Sequence, residues 1–566
     1  MIQIDQIRIS VTEKHKEQRL REKICRLLGV KEAQIEDVSV KKRSIDARKK
    51  PQVFYLYTVA VKVAKEDAIL QRNKKKPHIG KLQETVYRLP ERKGRPKQRP
   101  VVVGFGPAGM FAAYLLALAG AEPIVLERGQ AVEQRRRDVE RFFADGKLDP
   151  ASNVQFGEGG AGTFSDGKLN TQKNDRQGRN RFVLETFCRF GADGDILYDA
   201  KPHIGTDRLV EVVANLRNEI IALGGEVRFS SQMDRLLVES GERSETQDDK
   251  PSGYHTEPLS ADDERQYAAQ TNRLSEGGRR IRGVRLTNGE AIETDRVILA
   301  IGHSARDTFE TLRTQQIEMT AKPFAVGFRV EHPQELISVL QYGKEAAAVL
   351  PPAPYKLVAK GRTPALYSFC MCPGGYVINA SSENDRLCVN GMSLKRRDSG
   401  NANSALVLPV GAESFDLSEP LSGMHFQRRL EERVFQLGGG RIPQQLFGDY
   451  LADRASSGFG RFTTRTKGQA AFANLRGLFS AEWENGFIEG VRAMDARMHG
   501  FWDEEMILSG VESRTSSPVR IPRDERFEGN VAGLYPCGEG AGYAGGITSA
   551  AMDGLKVAEA VLQSYG

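Results

Sequence analysis

Cysteine, histidine and tryptophan are scarce in this chain: its 566 residues include six Cys, eight His and two Trp. Six cysteines without a repeated spacing do not indicate a disulfide framework, so we expect a reducing, cytoplasmic environment. The histidines lack metal-ligand spacing, and no Ser-His-Asp or zinc signature occurs, so we expect neither a metal site nor hydrolysis. The first twenty residues do not place an apolar segment after a basic one, so we expect no secretory signal.

Long hydrophobic runs are also rare, with one exception. Val101–Ala121 contains no charge over 21 residues, which is long enough to cross a bilayer. However, a glycine turn and Pro107 interrupt it near its start. Since 27% of the chain is charged and 40% is apolar, we expect a globular protein without a membrane partner.

Charge is distributed unevenly along the chain. Residues 1–100 hold 27 Lys and Arg against 12 Asp and Glu, whereas the remainder holds 54 against 62. A basic segment can attract a polyanion such as nucleic acid, or it can be a solvated surface that keeps the protein soluble. The sequence leaves both interpretations open.

The uncharged run is better explained as a strand–turn–helix–strand unit. The β-branched "VVV" at 101–103 predicts a buried parallel strand. Gly104, Gly106 and Gly109 follow in the spacing typical of dinucleotide sites. The first glycine permits a tight turn, the second lets a pyrophosphate approach the backbone, and the third lets the helix pack closely on the strand.

The rest of this unit supports dinucleotide binding. The predicted helix begins at Pro107 and Ala108, so its free N–H groups face the phosphates. Glu127 ends the second strand 18 residues beyond Gly109, where its carboxylate can bind both ribose hydroxyls and repel a 2′-phosphate. The same glycine spacing recurs at 157–162 and 540–545 without the complete flanking pattern.

Three further segments resemble the glutathione-reductase-type FAD superfamily. Residues 157–170, "GEGGAGTFSDGKLN", form a Gly-rich loop that can wrap a pyrophosphate and reach a flavin ring. Residues 281–305 predict a hairpin with an Asn-Gly turn, then the strand "RVILAIG". Residues 529–563 predict the short strand "GLYPCG", a glycine cluster and a final helix from about Thr548. The resemblance implies that Glu539, where the superfamily usually has Asp, binds the ribityl chain, and that the final helix points at the flavin.

Nearly the whole chain resembles a family of bacterial FAD-dependent dehydrogenases without assigned substrates, sometimes labelled NAD(FAD)-utilising dehydrogenases. The shared segments include "KPFAVGFRVEHPQELI", "FCMCPGGYVINASSE" and "ESRTSSPVRI". The resemblance implies FAD and a redox reaction. The residues expected to bind FAD are Gly104, Gly106, Pro107, Ala108, Gly109, Glu127, Arg128, Gly160, Gly162, Thr163, Ser165, Lys168, Met233, Gly302, Gly538, Glu539, Gly546, Ile547 and Thr548.

The predicted fold class is α/β with three parts. Residues 1–95 form a small basic α/β domain, with strands at "IQIDQIRISV" and "FYLYTVAVKVA" and a helix between them. Residues 97–309 and 520–566 form a discontinuous Rossmann-like FAD-binding domain with a mobile, polar insertion at 239–280. Residues 310–519 form a β-sheet substrate domain that carries helices.

Candidates for catalysis are few. Arg514 and Ser516 lie in "ESRTSSPVR", where the arginine can anchor a carboxylate or hold the charge of reduced flavin, or can belong to a hydrogen-bonded turn. Cys372 follows Cys370 by two residues, a spacing that puts both thiols on one face of a regular strand but strains a direct disulfide. A redox role for the pair is the alternative; small buried core residues are the default interpretation of both cysteines. His303 is a candidate acid or base, or a polar residue beside the adenosine.

These observations predict an FAD-dependent oxidoreductase that transfers hydride through flavin N5 to or from an unidentified small molecule. No second complete nucleotide-binding unit is evident, so NAD(P)H would be a transient donor near the flavin, or the substrate itself would supply the electrons. Two alternatives stay open: a flavoprotein that binds or modifies RNA through the basic N-terminal domain, and a non-catalytic flavin redox sensor. The sequence does not predict an oligomeric state.

Overall fold

The computed structural model describes residues 1–94, 96–171, 175–240, 278–359 and 364–565. Within them the protein is a mixed α/β structure built on several sheets. The insertion expected at 239–280 lies almost wholly outside the described residues. None of the described helices has the length and apolar character needed to cross a membrane.

The strands are β1 Ile2–Ser10, β2 Ile35–Lys49, β3 Gln52–Val63, β4 Ile79–Lys81, β5 Val101–Val103, β6 Ile124–Leu126, β7 Glu226–Arg228, β8 Met233–Ser240, β9 Arg279–Leu286, β10 Ala291–Glu293, β11 Val297–Leu299, β12 Thr320–Ala321, β13 Phe324–Pro333, β14 Tyr367–Cys372, β15 Tyr376–Asn379, β16 Val389–Met392, β17 Asn401–Val410, β18 Ile442–Leu446, β19 Thr466–Lys467, β20 Ala470–Phe472, β21 Ile507–Glu512, β22 Val519–Arg520 and β23 Leu534–Pro536.

The helices are α1 Lys16–Leu28, α2 Glu66–Asn73, α3 Pro107–Leu118, α4 Val132–Asp145, α5 Arg179–Arg189, α6 Thr206–Ala222, α7 Arg306–Thr314, α8 Gln334–Tyr342, α9 Lys344–Ala347, α10 Ser422–Leu437, α11 Phe447–Leu451, α12 Ala481–Asp495 and α13 Ile547–Gln563. Single 3-10 turns occur at 32–34, 160–164 and 194–197.

The N-terminal sheet has the strand order β2-β3-β1-β4 and is antiparallel. Alternate residues of β1 point into its core, which α1 covers with Leu20, Ile24 and Leu28. The helix ends at Gly29, whose positive φ is typical of a helix C-terminus. The strands and helix expected here are present, and β2 is an additional long edge strand.

A five-stranded parallel sheet with the order β23-β11-β5-β6-β7 contains the valine strand that precedes the glycine turn. Strand β5 is buried on both faces, which explains its unbroken run of valines. Helix α3 is apolar around most of its circumference because the sheet, α6 and α13 surround it. The run that could have been a membrane span is therefore a buried strand and helix.

A six-stranded sheet with the order β14-β17-β13-β21-β18-β20 forms the core of the second large part. Strands β13 and β17 pair antiparallel over ten residues each. A smaller sheet, β16-β15-β19, and helices α10 and α12 pack around it. Strands β13 to β16 lie in the segments "FAVGFRVE", "ALYSFCMC", "GYVINASS" and "RLCVNGMS".

Candidate functional site

A cavity of about 340 Å³ lies where the carboxyl ends of the parallel strands meet the six-stranded sheet. Ligands of open α/β sheets bind at this edge because the loops that follow the strands converge there. The cavity is continuous from the glycine turn after β5 to side chains of β14, β16 and β21.

The glycine turn after β5 fits the roles expected of its three glycines. A Cβ on Gly104 would lie 2.4 Å from the Ala300 carbonyl oxygen, and one on Gly109 would lie 1.9 Å from the Gly104 oxygen. These two glycines therefore allow close backbone packing. Gly106 differs, because a Cβ there would meet only the Cα of Gly160, at 3.7 Å. The gap between Gly106 and Gly160 opens into the cavity at the start of α3.

Glu127 is buried at the end of β6 and binds the backbone of both glycine-rich loops. Its Oε1 accepts hydrogen bonds from the N–H groups of Gly129 and Gly157, each at 2.9 Å. Its Oε2 accepts one from Phe105 at 2.8 Å. Because a carboxylate has about four acceptor positions, one position on Oε2 is left over from these three bonds.

Arg128 and Met233 lie farther along the same wall of the cavity. The Arg128 guanidinium stacks 4.3 Å from the centre of the Phe156 ring and donates to Asp307 at 2.8 Å. These contacts hold the arginine flat against the wall. The wall therefore offers an aromatic and cationic surface beside Glu127.

Arg135, which the sequence analysis did not single out, supports the second glycine-rich loop. It is fully buried on α4 and donates to five backbone carbonyl groups. The acceptors are Asn153, Val154, Gly157, Glu158 and Gly160. Burial lowers its pKa to about 10, so the guanidinium stays charged at neutral pH. No local pattern distinguishes it from the two arginines that follow it in sequence.

The loop at 160–168 and the start of α13 face each other across the cavity. A Cβ on Gly162 would lie 3.1 Å from Cγ1 of Ile547. Ser165, Lys168 and Gly546 also line this part. Two predicted residues lie behind the cavity wall and bond to its backbone. Thr163 donates to the Glu158 carbonyl, and Thr548 donates to the Leu169 carbonyl at 2.7 Å.

Glu539 and His303 lie side by side in the cavity, with Oε1 and Nδ1 separated by 3.9 Å. Burial raises the pKa of Glu539 to about 7, partly offset by Lys322. Burial and the positive charges of Arg514 and Arg306 lower the pKa of His303 to about 3, so its imidazole is neutral. The His303 Nε2 atom is buried and has no hydrogen-bond partner among the residues that the structure describes.

Arg514 lines the cavity, but most of its donors bind protein groups. Its Nε and Nη2 form two bonds to the Glu431 carboxylate, at 2.9 and 2.7 Å. Its Nη1 donates to Ser304 and Ser382. Arg306 binds the same carboxylate from the other side with two bonds of 2.8 Å. Glu431 is therefore a buried anion between two arginines, and both hold its pKa below the usual range despite burial.

The cysteine pair differs from the arrangement expected on a regular strand. A β-bulge separates Phe369 from Cys372, and Cys370 has φ of 44°. Cys370 lines the cavity, whereas Cys372 is fully buried behind it. The alternation that would place both thiols on one face therefore does not hold here.

Most predicted site residues lie on the cavity wall. Those that line it are Gly104, Gly106, Pro107, Ala108, Glu127, Arg128, Gly160, Gly162, Ser165, Lys168, Met233, Gly302, Arg514, Glu539, Gly546 and Ile547. Those outside the lining are Gly109, Thr163, Cys372, Ser516, Gly538 and Thr548. Cys370 and Glu512 line it without having been predicted to do so.

The wall fits FAD on three independent observations. Gly106 and Gly160 leave a gap that a Cβ would fill, at the positive end of α3. Helix α13 begins at the cavity as well. His303 offers a buried nitrogen that no described residue binds. When bound, FAD supplies two-electron redox chemistry at its isoalloxazine ring.

Comparisons with known families and proteins agree with this fit. Residues 323–515 match the family model described as FAD-dependent protein, C-terminal domain-like, and residues 1–62 match a domain of unknown function. An uncharacterized protein of Clostridium beijerinckii is 42% identical over 552 residues, which is 96% of each chain.

Solved structures similar to this chain include a dehydrogenase, an oxidase and a reductase. The L-proline dehydrogenase from P. horikoshii is 11% identical, with 82% of this chain and 94% of that chain covered at a TM-score of 0.32. The glycine oxidase from Bacillus cereus is 10% identical, with 82% and 94% covered at 0.29. The E. coli quinol fumarate reductase FrdA is 11% identical, with 83% and 70% covered at 0.33.

FAD is thus the cofactor: residues 323–515 match the model of an FAD-dependent family, and the cavity wall fits FAD. The chain belongs to the same family as the clostridial protein, and it is an FAD-dependent oxidoreductase.

Proposed function

We propose that this protein is a dehydrogenase or reductase of the bacterial NAD(FAD)-utilising type, which transfers hydride between flavin N5 and a small molecule. The observation that carries the proposal is the continuity of one cavity. It runs from the glycine turn at Gly104–Ala108 to a polar group of side chains on the six-stranded sheet. A dinucleotide held at the turn would extend its reactive ring toward that polar group.

The residues assigned to the cofactor divide along this cavity. Glu127 and Arg128 would hold the adenosine, the N-terminus of α3 the diphosphate, and Glu539 the ribityl chain. The start of α13 would face the flavin ring, where a helix N-terminus stabilises negative charge on the reduced cofactor. Each of these wall segments would thus contact one part of FAD. The side chains of the six-stranded sheet would then be free to contact the substrate.

Glu512 is our candidate for proton transfer at the substrate end. It lies on β21, lines the cavity and accepts a 2.5 Å bond from Arg329. Burial raises its pKa to about 7, while the arginine opposes that shift. A carboxyl group with a pKa near neutrality can both accept and return a proton during turnover.

Arg514 is better suited to positioning than to catalysis. Its two bonds to Glu431 fix the guanidinium plane, and its Nη1 ties Ser304 to Ser382 across the cavity wall. Ser516 lies outside the wall. We therefore assign Arg514 to the support of the site and give Ser516 no direct role.

An absorbance spectrum of the purified protein, followed by anaerobic titration with NADH and NADPH, tests the proposal. We expect a flavin spectrum that bleaches with one nicotinamide as a transient donor, or with a small organic substrate if neither reacts. A Glu512→Gln variant should keep the flavin and shift or flatten the pH profile of reduction near pH 7. Protein that takes up no FAD would overturn the proposal.

A further inference from the structure

Strand β14 is distorted at the point where it reaches the cavity. Phe369 pairs with Ala405 and Cys372 with Asn403, so three steps on β14 match two steps on β17. The extra residue forms a bulge in which Cys370 adopts a left-handed backbone conformation, φ 44°. Such strain in a residue other than glycine persists where the surroundings enforce it, and it concentrates at functional sites.

The Cys372 sulfur lies beside Cys370, because its thiol donates to the Cys370 carbonyl oxygen at 3.3 Å. In a regular strand, the Cα atoms of residues two apart are separated by about 6.8 Å. Disulfides require Cα atoms about 4.4–6.8 Å apart. A regular strand therefore places such a pair at the upper limit of that range, and the bulge at Cys370 departs from this regular geometry.

Two cations surround the cysteine pair. Arg329 is fully buried; its Nη2 donates to the Cys370 carbonyl at 2.6 Å and contacts the Cys372 sulfur at 3.3 Å. Lys168 donates to the Met371 carbonyl between them. A Cβ on Gly391 would lie 2.0 Å from the Arg329 guanidinium, so the absence of a side chain there makes room for the cation.

The two thiols are unequal in this environment. A hydrogen bond from Cys372 lowers the pKa of Cys370 to about 5, and the charges of Lys168 and Arg329 act in the same direction. Burial and the same hydrogen bond raise the pKa of Cys372. These opposite shifts favour a thiolate at Cys370, on the cavity side, and a protonated thiol at Cys372 behind it, the state in which one sulfur is a nucleophile.

We propose that Cys370 and Cys372 are a dithiol–disulfide couple that exchanges two electrons with the bound flavin. The thiolate and thiol together lose two electrons and one proton, the proton of Cys372, as one S–S bond forms, and oxidised FAD is the oxidant that gains the two electrons and that proton. In the opposite direction, reduced FAD returns two electrons, the S–S bond breaks, and one proton returns to the Cys372 sulfur. This inference rests on the proposed function, because it requires flavin at the end of the cavity that Cys370 lines.

Counting electrons in the holoenzyme tests the couple. Protein treated with diamide and freed of reagent should take up about four electrons per flavin in an anaerobic dithionite titration, since flavin and disulfide each accept two. Cys370→Ser and Cys372→Ser should each take up about two. Cys188→Ser is the matched control: Cys188 is half-buried on α5, donates to the Asp193 carbonyl and should retain the value of about four.

A second readout does not depend on flavin. After diamide treatment and denaturation, the peptide that contains both cysteines should resist alkylation and gain two alkyl groups only after reduction. Two electrons per flavin in the unsubstituted protein, or a peptide that is fully alkylated after diamide, would overturn the inference while leaving the proposed function intact. If the serine variants do not fold, the peptide measurement on the unsubstituted protein decides. A protein without flavin whose peptide does form the disulfide would overturn the proposed function and, with it, the electron exchange.

Discussion

Replacing Gly106 by alanine separates cofactor binding from folding more cleanly than any other change at this site. Gly106 has φ of −77° and ψ of −176°, a conformation open to any residue. The new Cβ would touch only the Gly160 Cα, at 3.7 Å, which is an ordinary van der Waals contact. The apoprotein should therefore fold as before, and alanine should raise its stability by up to about 1 kcal/mol through the unfolded state.

The holoprotein should behave differently. A carbon atom that contacts both loops leaves no room for a phosphate oxygen between them. If the diphosphate then loses two bonds from backbone N–H groups, each worth about 1.5–3 kcal/mol to a charged acceptor, FAD binding weakens by about 3–6 kcal/mol. This corresponds to a loss of roughly 100-fold to 10,000-fold in affinity. Gly106→Val should abolish binding and yield colourless protein.

The assay is FAD titration of apoprotein, together with thermal unfolding of the same samples. Gly458→Ala is the matched control, because Gly458 is exposed and a Cβ there meets nothing within 4 Å. Gly109→Ala is the contrasting variant and should destabilise the apoprotein itself, since its Cβ would lie 1.9 Å from the Gly104 oxygen. A Gly106→Ala protein that binds FAD with unchanged affinity would refute the placement of the diphosphate.

Three other predictions concern the walls of the cavity. Glu127→Gln should lower the unfolding free energy by about 1–3 kcal/mol even without FAD, because three backbone N–H groups lose a charged acceptor; equal melting temperatures in the apoproteins would contradict this. Arg135→Met should lower the free energy of unfolding, measured in urea, by about 3–5 kcal/mol, because five buried carbonyl groups lose their donor. A smaller loss would contradict this and would mean that water replaces the guanidinium. Iodoacetamide should modify Cys370 with half-maximal rate near pH 5, since the hydrogen bond from Cys372 and the charges of Lys168 and Arg329 lower the pKa of its thiol. Burial raises the pKa of the Cys188 thiol, which should react only above pH 9; equal pH profiles would contradict the lowered pKa of Cys370.

The nucleotide-binding unit could be predicted from sequence because its signals are local. The valine run, the glycine spacing and the apolar helix each correspond to one element in the structure, β5, the turn and α3. Sixteen of the predicted residues line one cavity although they come from segments more than 400 positions apart, because the loops of parallel strands converge at one edge. The division into three domains stays a prediction.

Two long strands escaped the sequence analysis for physical reasons. Strand β2 carries charged residues in adjacent pairs, and its register shifts at Ile35, Val40 and Asp46, so no period of two persists. Strand β17 begins with "NANS", polar residues that usually indicate a turn, yet Asn403 is fully buried and accepts a bond from Arg329. In both strands, partners distant in sequence determine the structure.

Buried charge is the part of the site that sequence patterns could least reveal. Arg135, Arg329 and Glu431 are all fully buried, and none stands in a motif. A buried ion is stable only when its partners are already in place, and the partners of Glu431 come from α7 and from the segment after β21. Glu431 thus links α7 to the segment after β21 beside the cavity. Arg329 is a separate buried cation, and it contacts both Glu512 and the cysteine bulge. Replacing Arg329 should therefore change the pKa of the Glu512 carboxyl group and the pKa of the Cys370 thiol together, as expected if both groups act on one flavin.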